Sequence, residues 1–250
     1  VRNLIKDGYL ERASSTRAGT KVRMTRPYPE GLIAFIGHLT DSYSSKILNG
    51  AIRAAMRKNY LLSVFSPAAD EINDSLSKMQ EGRFSGIINL HYGQISSRIP
   101  TVYIDDSRMA GRQNCPVIMS DTYTGAAMIV EKLLEKGHRN IAFLTKKYPG
   151  DELDLRSKGC IAAMKAHGIN NAEARSFFYN DNSVHHCGII LKQMLNTYPG
   201  LTAIICNTDH SAFNMISAAR EMKIDIPGRI SITGFGNVET IQRVHKLMTI

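Results

Sequence analysis

Short apolar runs alternate with helical periodicities along most of this chain, and that alternation constrains the fold more than any other feature. Leu32–Ile36 reads as a strand buried on both faces. Apolar residues from Ile47 to Met56 then recur at helical spacing. Strands that alternate with helices imply right-handed crossovers and parallel sheets. Because the units are too many for one sheet, the sequence predicts an α/β fold with two Rossmann-like lobes that face a cleft.

The same alternation between apolar strands and helices with periodic apolar residues continues to the end of the chain. Further strands are expected at Leu61–Phe65, Ile87–Ile88, Thr101–Ile104, Val117–Met119, Ile141–Leu144, Phe177–Tyr179, Ala203–Cys206 and Ile230–Thr233. Further helices are expected at about residues 72–79, 126–134, 157–166, 187–196 and 211–222. Ligands of parallel sheets bind beyond the carboxyl ends of the strands, so polar residues directly after strands are the candidates for a site.

The segment before the first of these strands is organised differently. Residues 26–31 read RPYPEG, and the two prolines resist both helix and central strand, which predicts a linker. Residues 1–26 hold seven lysines and arginines against two carboxylates, in a chain of net charge +9. A local basic excess favours a polyanionic partner, and a solvated basic tail is the alternative.

Composition excludes several classes of protein. No apolar run reaches the roughly 18 residues of a membrane span, and no charged-then-apolar segment opens the chain. We therefore expect a cytoplasmic protein without a membrane partner. The four cysteines match no zinc or CxxC spacing, which favours free thiols in a reducing compartment.

A set of motifs in fixed order resembles the effector-binding domain of the LacI/GalR family, which is related to periplasmic sugar-binding proteins. The set comprises GHLTDSYSSKILNGAIRAAMRKNYLLSVFS, FSGII, IPTVYIDD, SDTYTGAAMIVEKLLEKGHRNIAFLT, LRSKGCIAAMKAHGI, TAIICNTDHSAF, IPGRISITGFGN and the terminal LMTI. The resemblance covers residues 31–250, and EKGHRNIAFLT is among its most specific parts. It implies an effector-binding domain at 32–250, with one lobe at about 32–136 and 241–250 and the other at about 137–240.

The opening stretch resembles the end of a GntR-type winged helix. NLIKDGYLER followed by AGTKV matches a recognition helix, a strand, and a basic wing before a Gly-Thr-x-Val strand. The resemblance implies a winged-helix remnant at 1–25, with Arg2, Thr16, Arg17 and Gly19 as DNA-binding residues. At a wing tip, a hydroxyl and a guanidinium reach phosphates or the minor groove. Because both terminal motifs align inside family elements, we expect that the sequence is cut at both ends.

Together the two resemblances imply a transcriptional regulator, most simply a repressor. Such a protein would work as a homodimer, with operator DNA and a small-molecule effector, a sugar or sugar derivative, as its other partners. A solute-binding protein without a DNA role is the alternative. An α/β enzyme is a third reading that would need a base, a phosphate loop or a metal set.

The family pattern carries effector contacts onto specific residues. In the first lobe these are Asp41 and Tyr43, which can accept sugar hydroxyl bonds and stack on a ring. Asp41 is also a good helix N-cap, which is the alternative role. Thr124 matches a polar cleft position. Arg156 matches an arginine that forks onto ligand oxygens, and a surface arginine at a helix start is the alternative.

The remaining contacts depart in part from the family pattern. Asn182 stands where relatives often place an aromatic residue, and Thr208–Asp209 occupies an Asn-Asp pair. Phe235 is the aromatic of a G-[FY]-D motif whose carboxylate is here replaced by Gly236. Leaving an effector hydroxyl unpaired costs about 1–3 kcal/mol. Either Asn237 substitutes for that carboxylate, or the effector is not a typical sugar.

Motifs for catalysis are absent from the sequence. No P-loop, HExxH or complete GxGxxG occurs, and Asp105–Asp106 and Asp151–Glu152 are accompanied by no nucleophile. His185, His186 and Cys187 are adjacent in a predicted helix and would point in different directions. We therefore expect no enzymatic activity, no metal and no cofactor.

Overall fold

The computed structural model describes residues 2–6, 10–12, 19–22, 30–39, 41–68, 70–82, 84–146, 153–239, 241 and 249. The chain divides into two units, Val1–Met119 and Ser120–Ile250. Each unit contains a parallel sheet, of five strands in the first and four in the second. The predicted α/β class is confirmed.

The first unit opens with a short helix and a two-stranded sheet. α1 spans Arg2–Lys6, β1 spans Leu10–Arg12 and β2 spans Thr20–Val22. β1 and β2 pair antiparallel. Gly19, directly before β2, has a φ of +67°, which glycine adopts without steric cost.

The larger sheet of the first unit follows. Its elements are β3 Gly31–Gly37, α2 Ser42–Arg57, β4 Tyr60–Phe65, α3 Ile72–Glu81, β5 Gly86–Leu90, β6 Thr101–Ile104 and β7 Val117–Ile118. The strand order is β4-β3-β5-β6-β7, and neighbouring strands are parallel. A short 3-10 helix, Ser107–Met109, follows β6. Ala34, Ile36 and Ile87 pack with Leu76 and Met79 of α3 to form the core.

The second unit repeats the alternation. Its elements are α4 Thr122–Glu135, β8 Ile141–Lys146, α5 Leu155–Ala166, β9 Ser176–Tyr179, α6 Val184–Thr197, β10 Ala203–Cys206, α7 Asp209–Glu221 and β11 Ser231–Thr233. The strand order is β11-β10-β8-β9, and neighbouring strands are again parallel.

The sheet of the second unit has an apolar core on each face. Ala203 and Ile205 of β10 lie in a cluster with α4 and α5 residues, whereas Ile204 and Cys206 lie in a cluster with α6 and α7 residues. All four are buried, because a strand covered on both faces has no polar side. This explains why the strand reads in the sequence as an unbroken apolar run.

The helices of the second unit begin at the carboxyl edge of its sheet and have side-chain caps. Asp121 caps α4, Asp154 caps α5, Ser183 caps α6 and Thr208 caps α7, each through a side-chain oxygen that accepts a backbone N–H. Such caps satisfy N–H groups that otherwise lack a partner in the first turn. The chain therefore brings polar side chains to this edge for structural reasons as well as for any ligand.

The boundary between the units differs from the sequence prediction. We expected the first lobe to extend to about 136, but α4 packs against α5 in the second unit, where Ile129 and Leu133 share a core with Phe143 and Met164. The end of the chain was also expected in the first lobe. Ile241, however, lies in the core of the second unit. Residues 242–248 and 250 lie outside the described residues.

The three cysteines of the second unit are fully enclosed. Cys160, Cys187 and Cys206 are at most 1% exposed, whereas Cys115 is half-buried, and all four are free thiols. Burial raises the pKa of Cys160 to about 12 and that of Cys187 to about 11, and it raises the pKa of Cys206 well above its usual value.

We expect a thiol-specific disulfide reagent near pH 8 to label only Cys115 among the four cysteines of the folded protein. The thiolate is the reactive form, and the three enclosed thiols do not ionise in that range. Mass spectrometry of labelled peptides measures the sites, and Cys115→Ser serves as the control that removes native labelling. Modification of Cys160 in the native protein would contradict the packing of α4 on α5.

Across the described part of the chain, no helix combines the length and apolar character needed to cross a membrane.

Candidate functional site

Arg156 joins two loops at the carboxyl edge of the second sheet. Its Nη1 donates a hydrogen bond of 3.1 Å to the backbone carbonyl of Asn207, which follows β10. Its Cζ lies 4.5 Å from the ring centroid of Phe235, in the loop after β11. A guanidinium over an aromatic face is attracted by the ring quadrupole. The Nε of Arg156 is buried and has no hydrogen-bond partner among the described residues.

The Thr208 side chain caps the start of α7. Its Oγ1 accepts from the backbone N–H of Ser211 at 3.1 Å, and the Oγ of Ser211 accepts from the N–H of Thr208 at 3.1 Å. This reciprocal capping box satisfies two N–H groups of the helix end. The Thr208 side chain remains half-buried at the edge where we expect the effector.

Asn207 lies at the centre of a buried network that the sequence reading missed. Its Oδ1 accepts from the hydroxyl of Tyr179 at 3.0 Å and from the Oγ of Ser211 at 3.1 Å. Asn207 is 4% exposed, so these bonds are shielded from water. The network connects the ends of β9 and β10 with α7, and it fixes the carbonyl that receives Arg156.

Asp209 is closed off from solvent. Its exposed fraction is 0%, and its Oδ2 accepts from the backbone N–H of Val238 at 2.6 Å. Its own N–H donates to the carbonyl of Phe235 at 3.0 Å. Asp209 therefore holds the loop after β11 against the start of α7. Its Oδ1 has no partner within the described part of the chain.

Asn182 and Thr124 lie at the same edge, but no described contact joins either one to Arg156. The backbone carbonyl of Asn182 accepts from the Nδ2 of Asn214 at 2.5 Å. Thr124 is exposed, and its N–H donates to the Oδ1 of Asp121 at 3.0 Å, within the cap of α4. The four predicted residues that the structure brings together in the second unit are Arg156, Thr208, Asp209 and Phe235.

The loop after β11 has a backbone suited to glycine. Gly236 has a φ of +121°, which side-chain-bearing residues rarely adopt, and a Cβ there would meet no atom within 4 Å. An aspartate at this position would strain the loop even though space is free. Asn237 is exposed and uses its N–H to contact the Oγ1 of Thr249 at 3.1 Å.

In the first unit, Asp41 is the N-cap of α2. Its Oδ1 accepts from the N–H of Ser44 at 2.7 Å and its Oδ2 from the Oγ of Ser44 at 3.1 Å. Both carboxylate oxygens therefore serve the helix end, which is the alternative role that the sequence left open. Tyr43, the next predicted residue, is 38% exposed in the first turn of α2.

Tyr92 connects three loops at the carboxyl edge of the first sheet. Its hydroxyl donates to the carbonyl of Pro67 at 2.6 Å and lies 3.2 Å from Nδ1 of His38. The Tyr92 and His38 rings also stack, with centroids 4.3 Å apart. Asn89, which is fully buried, accepts from the N–H of Tyr92 at 3.1 Å. The loops after β3, β4 and β5 thus form one connected surface.

An ion pair between a buried carboxylate and an exposed arginine lies beside this surface. Asp106 is 4% exposed, and Nε and Nη2 of Arg108 each donate to one of its carboxylate oxygens at 2.8 Å. Burial alone would raise the pKa of Asp106, but the hydrogen bonds and charge of Arg108 outweigh it and lower that pKa. Partial burial lowers the pKa of His91, although the carboxylates of Asp106 and Asp41 oppose that effect.

The sequence offered a positional signal for these missed residues. Asn207, His91 and Tyr92 directly follow strands, and polar residues at such positions were the stated candidates. The resemblance did not mark them, and no pattern in the sequence pairs Asp106 with Arg108 across a 3-10 turn. Thr16 and Arg17, predicted DNA contacts, lie outside the described residues. Arg2 is exposed on α1.

An apolar groove of about 760 Å³ in the first unit lies at the opposite edge of its sheet. It is lined at the amino ends of strands by Tyr60, Gly86, Pro100 and Pro116. Ligands of parallel α/β sheets bind at the other end, so we do not assign the effector to this groove. Within the described ranges, no group of three or more His, Cys, Asp or Glu side chains could hold a metal ion.

Comparisons with known proteins agree with this architecture. Residues 130–249 match the family model of the periplasmic binding protein-like domain. The ribose operon repressor of Escherichia coli (strain K12) is 23% identical over 211 residues, which cover 80% of this chain and 63% of that protein. The transcriptional repressor PurR of Glaesserella parasuis serovar 5 (strain SH0165) is 24% identical over 208 residues, which cover 79% of this chain and 60% of that protein.

A solved structure extends the likeness over nearly the whole chain. A LacI family transcriptional regulator from Silicibacter pomeroyi superposes with a TM-score of 0.71 at 19% identity, covering 88% of this chain and 85% of that one. The chain spans less than two thirds of the length of the two curated relatives. These likenesses show a fold of the periplasmic-binding-protein type, the α/β architecture that this LacI-family regulator also has.

Proposed function

We propose that the protein is a DNA-binding transcriptional regulator, a repressor whose operator affinity is controlled by a carbohydrate or a related small metabolite. The observation that carries the proposal is the alignment of about four fifths of the chain with proteins named the ribose operon repressor and the transcriptional repressor PurR. The convergence of Arg156, Thr208 and Phe235 at the carboxyl edge of the second sheet supports a polar effector there. The proposed role is regulation without catalysis, in the cytoplasm.

The proposed DNA reader is the segment before the linker. A short helix followed by an antiparallel pair of strands is compatible with the end of a GntR-type winged helix. Exposed Arg2 and the positive φ of Gly19 support the proposal, and Thr16 and Arg17 belong to the same proposed surface. We further propose a homodimer, since two readers with a fixed spacing can match two half-sites.

The proposed control is a difference in affinity. An effector changes operator binding only by as much as it prefers one conformation of the protein over the other. We propose that the effector contacts Asp41, Tyr43 and Thr124 as well as the Arg156 group. Asn182 completes the proposed set.

A gel shift with the intact chain and its own promoter region tests the DNA role. We expect binding that weakens by at least about 10³-fold between about 50 and 200 mM salt, since phosphate contacts release counterions. Replacing all three of Arg2, Arg12 and Arg17 by glutamine should make this salt dependence less steep. The matched control is Lys192→Gln, at an exposed position of α6. Binding of a sugar without any binding of DNA would instead favour the solute-binding protein.

A further inference from the structure

Two carboxylates at the carboxyl edge of the first sheet already accept hydrogen bonds. Both oxygens of Asp106 accept from Arg108, and both oxygens of Asp41 accept from Ser44. An ionised carboxylate can accept further bonds from ligand hydroxyls, but it has no proton to donate to an anion. Groups on this surface that can donate to a ligand anion are therefore the cationic and neutral donors.

Arg108 presents such a donor in a fixed orientation. Its side chain is 67% exposed, while the Asp106 carboxylate that orients it is 2% exposed. Nε and Nη2 are used by the pair, and Nη1 makes no hydrogen bond to any residue that the structure describes. Gly93 leaves room for the guanidinium, since a Cβ there would lie 3.3 Å from Nη2. A planar guanidinium held this way is suited to phosphate or carboxylate oxygens.

Two histidines follow strands at the same edge of the sheet. His91 follows β5 with a φ of +69°, uncommon for a residue with a side chain, and the charged groups facing it are Asp106, Asp41, His38 and Arg108. The Tyr92 hydroxyl donates its hydrogen bond to the carbonyl of Pro67, so Nδ1 of His38 donates to the Tyr92 oxygen.

We propose that Arg108 and His91 form an anion subsite, and that the effector carries a phosphate or carboxylate group that binds there. This inference rests on the proposed function and narrows the effector to charged sugar derivatives. Bound anion favours protonated His91, so binding takes up protons. Because burial lowers the pKa of His91, affinity for the anion rises as the pH falls from about 7 to about 5.

Calorimetry on the intact chain at constant ionic strength tests the subsite with defined probes. Ribose 5-phosphate, gluconate and inorganic phosphate are compared with ribose and with chloride. We expect the anionic probes to bind at least about 10-fold more tightly than ribose, which corresponds to one charge-assisted hydrogen bond. If inorganic phosphate binds as tightly as ribose 5-phosphate, the natural ligand of the subsite is a free anion. If inorganic phosphate binds more weakly, the ligand is a phosphorylated sugar. Gluconate tests whether a carboxylate can replace the phosphate group.

Variants locate the effect. Asp106→Asn combined with Arg108→Gln removes the ion pair without leaving a lone buried charge, and we expect a loss of anion affinity of about 10- to 100-fold. His91→Gln should abolish the pH dependence of gluconate binding, a probe with no ionisation of its own between about pH 5 and 7. The matched controls are Arg53→Gln and His185→Gln, at exposed positions of α2 and α6. They should change neither the anion affinity nor its pH dependence.

Three outcomes would overturn the inference: no preference for anions over ribose, anion binding that survives both site variants, or loss of anion binding in Arg156→Gln alone. The proposed function has a separate readout. If ribose or another neutral sugar controls operator binding without any anion preference, the inference fails and the regulator stands. If no DNA binds while the anions still do, the regulator fails and the subsite stands.

Discussion

Replacing Gly159 with alanine is expected to destabilise the second unit by about 2–3 kcal/mol, the cost of forcing extra volume into a packed interior. A Cβ at this position in α5 would collide with the carbonyl oxygen of Tyr123 in α4 and lie 3.0 Å from its carbonyl carbon. The obstacle is helix backbone, which cannot turn aside as a side chain can. The two helices meet here because glycine leaves the space open.

Gly188→Ala provides a matched control within the same unit. Gly188 also lies inside a helix, α6, but a Cβ there would reach only the Cβ of Ala218, at an ordinary 3.8 Å. We expect this change to be neutral or to stabilise by up to about 1 kcal/mol, because alanine is the better helix former. Urea unfolding followed by circular dichroism measures both, and hydrogen exchange of α4 and α5 amides reports the second unit by itself. Equal midpoints for the two variants would contradict the close approach.

Replacing Asp209 with alanine is expected to cost about 2–3 kcal/mol of folding free energy. The change removes a buried, charge-assisted acceptor of the Val238 N–H and a negative charge at the N-terminus of α7. Asp209→Asn keeps an oxygen that can accept from Val238, so we expect it to lose less than half as much. The Asn variant is therefore the control that separates the hydrogen bond from the charge.

Amide exchange at Val238 reads out this contact directly. Protection should fall sharply in Asp209→Ala and be largely retained in Asp209→Asn, because exchange requires the N–H to leave its acceptor. An alanine variant as stable as the wild type, with Val238 still protected, would show that the bond does not hold this loop. The result is independent of any effector, so the predicted role of Asp209 in binding is tested separately.

Short apolar strands were the most predictable part of the fold. The strands predicted at Thr101–Ile104 and Ala203–Cys206 agree with β6 and β10 at both ends, since a short apolar run with polar neighbours leaves little choice. The helix expected from residue 126 begins earlier, at Thr122, because Asp121 caps it. That cap was visible in the sequence as an aspartate three residues before Thr124, and its meaning was missed.

Assigning α4 to a lobe required tertiary information. Its apolar positions predict a buried helix but do not say which sheet buries it, and the deciding contact is a glycine on α5. The site shows the same limit. Thr208 and Asp209 could be placed at a strand end, whereas the link from Arg156 to Asn207 spans 51 positions and leaves no local pattern. The spacing of apolar residues predicts which positions are buried. The hydrogen-bond partners of polar side chains are set only when distant parts of the chain meet in the folded protein.

Tyr92 has a consequence for how this protein can vary. Because one hydroxyl and one ring contact both Pro67 and His38, three loops from separate stretches of sequence share a single anchor. An insertion in any one of them would pull that anchor from the other two. We expect natural variants to keep the lengths of all three loops unchanged. They should alter ligand preference by exchanging side chains on these loops rather than by changing the loop backbone.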